Sequence, residues 1–321
     1  MRLARLAFAL VLTIIVAAAA AQPYPARGIR LIVDTSPGGL TDLLARLTAE
    51  ALAARMGQPV VVENKPGASG NVAADLLLRS PSDGYTLMIA AAGNLAVKPF
   101  LERSVPFDPL ADLVAVINVA DAAHIFVVPA NMEAKDLAQF IAYARANPGT
   151  VYYGSAGIGS PPHLSLELFA RLAGVKLMHV PYKGIGNALP DMLAGRLQAM
   201  SISLGSALPY LKTGQIRPLA AAAKERLAGL PDVPTSAQAG LPGWEMSAWF
   251  AVFAPKGTPA NVIRLVNQRL QAALGDPKLR QRLLDLGAEP GGGSPESAAE
   301  RLRADHRLWG QVIRDAGIKL E

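Results

Sequence analysis

Val33-Asp34-Thr35-Ser36-Pro37-Gly38-Gly39-Leu40-Thr41-Asp42 carries an apolar run, Ile29 to Val33, through a Pro-Gly-Gly turn into a helical pattern. Two adjacent glycines let the backbone turn without a Cβ clash. The helix that follows offers unpaired N–H groups and the positive end of its dipole. The stretch therefore has the chemistry of an anion seat that needs no Arg or Lys, although an ordinary strand-to-helix turn reads the same way.

Outward from this turn, short β-type runs alternate with amphipathic helical stretches, which predicts an α/β fold of parallel strands covered by helices. Leu40, Leu43, Leu44 and Leu47 mark one helix face, stopping near Gly57. Val60 to Glu63 and Tyr85 to Ala90 read as strands, each followed by a loop of Gly and small polar residues, the second of them Ala91-Ala92-Gly93-Asn94. Ligands of open α/β sheets sit at such carboxyl ends. Val114 to Val119 and His124 to Val128 follow one another with no helix between, and Trp244 to Phe253 is again β-rich. We read these as two crossings between domains. Between them, Val151 to Tyr153 runs into Gly154-Ser155-Ala156-Gly157-Ile158-Gly159-Ser160-Pro161-Pro162-His163, a second anion seat. Further strands are expected over Leu177 to Val180, Leu197 to Ile202 and Ile216 to Ala222. Helices are expected over Ala134 to Asn147, Pro259 to Leu274, Pro277 to Leu286 and Pro295 to Ala316.

The first residues have the form of a secretory signal: Arg2 and Arg5, an apolar run from Leu6 to Val16 broken only by Thr13, then small residues to Ala21. That run is shorter than a membrane span. Cleavage is expected after Ala21, placing the mature chain in the periplasm with no stable membrane insertion. What remains exceeds the size one core usually supports. The boundaries read are 1–21 for the signal, 22–121 plus 246–321 for domain 1, and 122–245 for domain 2. With no cysteine in the 321 residues, disulfides, thiol chemistry and a Cys-linked lipid anchor are excluded. Losing Arg2 and Arg5 lowers the formal charge of +6 by two, and no dense Lys/Arg run suggests nucleic acid.

Gly-x-Ser-x-Gly, Gly-x-Gly-x-x-Gly and Gly-x-x-x-x-Gly-Lys-Ser/Thr are all absent, so serine hydrolase, dinucleotide and nucleoside-triphosphate chemistry lack their signatures. No catalytic role, cofactor or metal is assigned. His163 and Glu167 have a helical metal-ligand spacing, but no second histidine lies near them in sequence, and a packed histidine is the plainer reading.

Ser36-Pro37-Gly38-Gly39-x-Thr41-Asp42, Val61-Val62-Glu63-Asn64-Lys65-Pro66-Gly67-Ala68-x-Gly70-Asn71, Asp83-Gly84-Tyr85-Thr86-Leu87, Tyr153-Gly154-Ser155, Val180-Pro181-Tyr182-Lys183-Gly184, Pro231-Asp232-Val233-Pro234-Thr235 and Ala239-Gly240-Leu241-Pro242-Gly243 occur in that order. The series resembles the Bug family, the periplasmic substrate-binding receptors of tripartite tricarboxylate transporters, over nearly the whole mature chain. The resemblance implies a two-domain, type II Venus-flytrap fold that holds a small carboxylate between its domains and delivers it to a two-component membrane permease. It implies first-domain contacts at Gly38, Gly39, Thr41 and Asp42 and second-domain contacts at Ser155, Ala156, Gly157 and Gly159. Asn94, Lys183 and Gly184 are expected to line the cleft. A monomer would suffice for this task.

Asp42 could meet a ligand donor or simply favour its helix dipole, and Thr41 could cap that helix whether or not ligand binds. Asp34-Thr35-Ser36 departs from the apolar or proline-rich stretch usual before the first seat. Ser201-Ile202-Ser203 stands where many relatives carry Phe-Asp-Asn, and Gln198 where a carboxylate is common. These departures leave the acid unidentified. A ligand-presenting partner of a membrane sensor is the alternative reading, and a secreted hydrolase is the remaining one.

Overall fold

Strand β4 (Leu113–Pro129) belongs to both halves of the molecule. The computed structural model describes residues 24–67, 70–101, 105–182 and 184–318, so the expected signal at 1–21 and Lys183 lie outside the described residues. In the first half, β1 (Ile29–Val33) pairs in parallel with β2 (Val60–Asn64) and β3 (Thr86–Ala91). β9 (Ser247–Pro255) lies antiparallel between β3 and the first part of β4, and the short β10 (Glu289–Gly292) pairs with β4 around Asn118 to Asp121. From His124 onward β4 changes partners. It then runs antiparallel to β7 (Ala199–Ser203) and β8 (Ile216–Ala221), and β7 continues the sheet through β5 (Tyr152–Ser155) and β6 (Met178–Pro181).

The two β-rich runs read as separate are thus one 17-residue strand. Ala120, Ala122 and Ala123 between them are small and buried, and Asp121 is tied down, so nothing interrupts the extended backbone. Ser247 Oγ donates to Asp121 Oδ1 at 3.0 Å, Asn118 Nδ2 donates to Oδ2 at 2.5 Å, and Arg301 pairs with Oδ1 at 2.5 Å.

Both sheet faces are covered, which is why the strands read as continuous apolar runs instead of alternating ones. Leu31 and Val33 pack against α1 (Leu40–Met56) and α8 (Ala260–Leu274). Ile32, on the opposite face, packs with α2 (Asn71–Leu78) and α3 (Ala92–Leu101). In the second half, Phe126 and Val128 face α4 (Leu137–Ala146) and α5 (Pro161–Ala173). Ile125 and Val127 face α6 (Ile185–Leu193) and α7 (Leu204–Lys212). Two helices follow β9 besides α8: α9 (Pro277–Asp285) and the 21-residue α10 (Pro295–Asp315). α10 places Ala298 and Leu302 in the first half's core and Trp309, Val312 and Ile313 in the second's. Among the described residues no helix is long and apolar enough to cross a membrane.

The sheet is mixed where parallel strands were expected, since β9, β4, β7, β8 and the unexpected β10 pair antiparallel, and two helices also differ from expectation. Ala92-Gly93-Asn94, read as loop, is the first turn of α3. Leu95, Ala96 and Val97 give that helix a buried face, and Gly310 on α10 accommodates Phe100 where a Cβ would come within 2.4 Å of its ring. α7, which holds Pro209 within it, was not among the expected helices. Gly205 sits so close to the Leu286 carbonyl that a Cβ would lie 2.6 Å from it, so tertiary contact selects this glycine.

Phe126 is wholly buried among Phe140, Phe169 and Trp244, with ring centroids 4.7, 4.6 and 5.7 Å away. Phe126→Ala is expected to cost about 3–5 kcal/mol of unfolding free energy. Urea titration followed by tryptophan fluorescence measures it, and a loss below about 1 kcal/mol would show that this cluster does not carry the second half's core.

Candidate functional site

The carboxyl end of β1 leads into the first loop. Gly38 has φ 89, open to glycine at no steric cost, and Gly39 is the N-cap of α1 without a capping side chain. Asp42, 1% exposed, accepts the Gly38 N–H at 2.9 Å, both Nε and NH2 of Arg46 at 3.1 Å, and Asn64 Nδ2 at 2.9 Å. Burial alone would raise this carboxyl. The bonds from Arg46, Gly38 and Asn64 hold it below the usual carboxylate range instead. Asn64 also donates to the Thr35 carbonyl at 3.0 Å, so the end of β2 clamps the loop. With the Gly38 N–H engaged in this way, the open donors are the N–H groups of Gly39, Leu40, Thr41 and Asp42, which take no backbone acceptor among the described residues. The Thr41 side chain is buried and does not serve as the N-cap.

The second loop leaves β5 at Ser155, which is fully buried. Ser155 Oγ accepts the Gly157 N–H at 3.0 Å and lies 2.6 Å from His179 Nε2. The Gly159 N–H donates to His163 Nδ1 at 2.9 Å, and the Ser160 hydroxyl donates to the Gly157 carbonyl at 2.6 Å. Pro161 and Pro162 occupy the first two positions of α5 and have no N–H to offer. The loop therefore consumes the N–H groups of Gly157 and Gly159, while those of Ala156 and Ile158 take no acceptor among the described residues. Gly159 has φ 73 and sits against Leu101 of α3, where a Cβ would come within 2.5 Å of Leu101 Cδ1. α3 thus reaches from the first half to the second loop.

A small cleft, partly open to solvent, lies where α3, the start of α5, the start of β9 and α10 meet. Ala91, Gly93, Asn94 and Val97 line one side, Pro161 and Leu164 the other, and Met246, Ser247, Ala248 and Trp309 the floor. None of these residues is charged. Asn94 is exposed on the first turn of α3 and is the most polar of them. Gly184 is the N-cap of α6, with φ 126, and is not among the lining residues. The Tyr182 hydroxyl turns to Asp191 Oδ2 at 2.5 Å.

Sequence reasoning missed the support beneath the second loop. His163 and His179 stack at 3.8 Å and 7°, and Tyr153 stacks on His179 at 4.9 Å. The Tyr153 hydroxyl donates to Glu167 Oε1 at 2.5 Å, and that oxygen lies 3.8 Å from His163 Nε2. His163 and Glu167 do share a helix face, as their spacing indicates. No group of three or more His, Cys, Asp or Glu able to hold a metal occurs among the described residues. His179 arrives from a different strand, so no spacing rule could have linked it to the others. Deeper in, His124 Nδ1 meets Ser201 Oγ at 3.2 Å, Ser201 donates to Ser165 Oγ, and Trp244 Nε1 donates to the Ser165 carbonyl. Ser201 therefore belongs to the core, and Gln198 caps the Tyr152 N–H at 2.8 Å.

Residues 44–318 match the tripartite tricarboxylate transporter family receptor. The chain belongs to that family. Among this receptor family's members, the protein BugT of Bordetella pertussis is 37% identical over 308 residues, which cover 96% of this chain and 94% of BugT. A structure of an R. palustris protein with adipate superposes with a TM-score of 0.78 at 38% identity, covering 92% of this chain and all of that one. MatC from Rhodopseudomonas palustris with bound malate gives 0.73 at 31% identity, covering 90% of this chain and all of MatC. The receptor's fold is therefore the two-domain α/β fold of periplasmic solute-binding proteins, and its family and solved relatives are solute-binding receptors.

Burial holds His124, His163 and His179 neutral, pulling them to about 4, about 3 and about 4, with His179 adding to the effect on His163. Unfolded, each takes up a proton near pH 6.5. Their contribution to stability is complete above that pH and is lost as pH falls through 6.5 toward 4. Asp34, raised to about 6 by burial with Lys98 pulling back, and Asp305, raised chiefly by burial, act in the opposite sense. Three histidines against two carboxyls make the expected outcome a thermal midpoint that falls between pH 6.5 and 4.5. A flat or rising midpoint over that window would mean that the histidine stack is not buried as described.

Proposed function

We propose that the chain is an exported, cofactor-free receptor that captures a small organic carboxylate between its halves and delivers it to a two-component membrane permease. The observation that carries this reading is the disposition of donors. In both loops buried side chains engage some glycine N–H groups, those of Gly38, Gly157 and Gly159, and leave neighbouring backbone N–H groups open, and the cleft at α3 and α5 has no charged lining residue. Such a site stabilises an anion through fixed backbone dipoles.

The carboxylate would bridge the Gly39, Leu40 and Thr41 N–H groups on one side and the Ala156 and Ile158 N–H groups on the other. Asp42, Ser155 and the N–H groups of Gly38, Gly157 and Gly159 would act by holding that geometry, and Asn94 would meet the ligand's body. Lys183 and Gly184 would border the entrance. The mainly apolar floor, with Val97, Leu164, Met246 and Trp309, suits a hydrocarbon body. Adipate and malate in two relatives favour a dicarboxylate. We assign 22–121 plus 246–321 to one domain and 122–245 to the other, with α10 packing on both. Ligand touching both loops only when they approach would shift the population toward a closed form for the permease to recognise. Residues 1–21, removed after Ala21, would direct export to the periplasm, where a monomer would suffice.

The test is a thermal-shift screen of protein stripped of ligand by unfolding and refolding, against carboxylates with sugars and amines as controls. An acid at ~100 times its dissociation constant adds about 2.7 kcal/mol, or roughly 5–10 °C for a chain of this size. A shift with a sugar or amine and with no acid would sink the carboxylate reading.

A further inference from the structure

Both histidines beneath the second loop serve it as hydrogen-bond acceptors. The Gly159 N–H points at His163 Nδ1, 2.9 Å away, so that nitrogen carries no proton and the ring proton sits on Nε2. Ser155 Oγ lies 2.6 Å from His179 Nε2 and 3.1 Å from the Gly157 carbonyl. The Ser160 hydroxyl already donates to that carbonyl at 2.6 Å, which directs the Ser155 proton to His179. Ser155 Oγ meanwhile accepts the Gly157 N–H.

The groups that face His163 are Glu167 from its own helix, Tyr153 from β5 and His179 from β6. Glu167 Oε1 stands 3.8 Å from Nε2, beyond hydrogen-bonding distance, and takes the Tyr153 hydroxyl instead. His179 covers the ring face at 3.8 Å. A bound anion draws a proton onto any nearby imidazole able to accept one. His163 is not able to: a second ring proton would set N–H against N–H at Gly159, and Leu101 crowds that glycine so closely that its backbone has little room to turn away. Burial acts in the same direction and lowers both rings, His163 to about 3 and His179 to about 4.

We propose that His163 is a positioning residue of the second loop that works as a neutral acceptor protonated on Nε2, with His179 in support, so that the receptor takes up its acid without taking up a proton. The inference rests on the carboxylate-receptor reading. The histidines then add no positive charge to the site. They fix Gly157 and Gly159 and leave the Ala156 and Ile158 N–H groups to the solute. A side chain can replace His163 only if it presents an acceptor where Nδ1 lies. Asparagine does so with Oδ1, whereas phenylalanine keeps a ring for the stack but has no acceptor.

Isothermal titration of the ligand-stripped protein with adipate, malate and any acid that raises the thermal midpoint tests this. Repeating it at neutral pH, where these acids are ionised, in buffers of different ionisation enthalpy counts the protons taken up on binding. No uptake beyond measurement error is expected. His163→Asn is expected to keep the affinity within about threefold and His163→Phe to lose about tenfold or more. Uptake of a substantial fraction of a proton overturns the inference, since a histidine would then serve the acid as a cation. Equal affinity or equal loss in the two variants also overturns it, because an acceptor at Nδ1 would not be what counts. If His163→Phe does not fold, His163→Asn and the proton count decide. Imidazole nitrogen NMR of the ligand-free protein reads the tautomer directly: Nε2–H is expected for His163, and a proton on Nδ1 overturns the inference even where no acid binds. Failure of every acid to bind, with the tautomer as expected, overturns the receptor reading instead.

Discussion

The buried carboxylate of Asp42 is the constraint on which the first loop depends. It accepts four hydrogen bonds from three sources, the Gly38 backbone, Arg46 one helical turn on and Asn64 from the neighbouring strand. Removing it would leave the Gly38 N–H and one of the two Asn64 amide N–H groups without their acceptor and Arg46 without its partner. Breaking a buried charged group of this kind typically costs several kcal/mol. Ser155 plays the matching part in the second loop, with His179 and His163 holding the backbone from beneath. In both places side chains shape the backbone, and in the proposed site it is the backbone that would meet the solute. Such a division would let an anion be held without a lysine or arginine in the cleft lining.

The halves that carry these loops are joined by more than two strands. β4 runs through both, and at the point where it leaves β9 the Asp121 carboxylate gathers Asn118, Ser247 and Arg301. Arg301 also lies 4.7 Å above the Trp249 ring, whose Nε1 donates to Asp305 on the same helix. α10 and α3 then extend apolar side chains into the second core, so motion of one half against the other must pivot on these shared elements. Gly159 against Leu101 shows how closely the second loop rides on α3. The closure proposed above would therefore be a rotation about a packed, hydrogen-bonded axis with little to compress.

Much of this was legible in the chain. The Pro-Gly-Gly turn after Ile29 to Val33, the Gly/Ser loop after Tyr153 and the β/α alternation are local patterns, and local patterns survive in sequence. The resemblance to transporter receptors rested on the same turns, because they are where backbone geometry admits few residue types. What was not legible was set by tertiary contact. Ala92-Gly93-Asn94 reads as a loop until Phe100 finds the space above Gly310, and no local signal marks Gly205 as the point where the Leu286 carbonyl comes close. His179 joins His163 across two elements, and the cleft floor draws Met246 and Trp309 from distant segments. The internal use of the Gly38, Gly157 and Gly159 N–H groups was likewise invisible, since it depends on where Asp42, Ser155 and His163 point.

The claim that the solute is held by backbone groups of two loops, each shaped by buried side chains, is tested most directly by a crystal structure with a bound carboxylate. The account expects one carboxylate to accept N–H bonds from the Gly39, Leu40 and Thr41 turn and from Ala156 or Ile158 together, with Asp42 still bonded to Gly38, Arg46 and Asn64. A carboxylate held by a lysine or arginine side chain, or touching only one of the two loops, would contradict it.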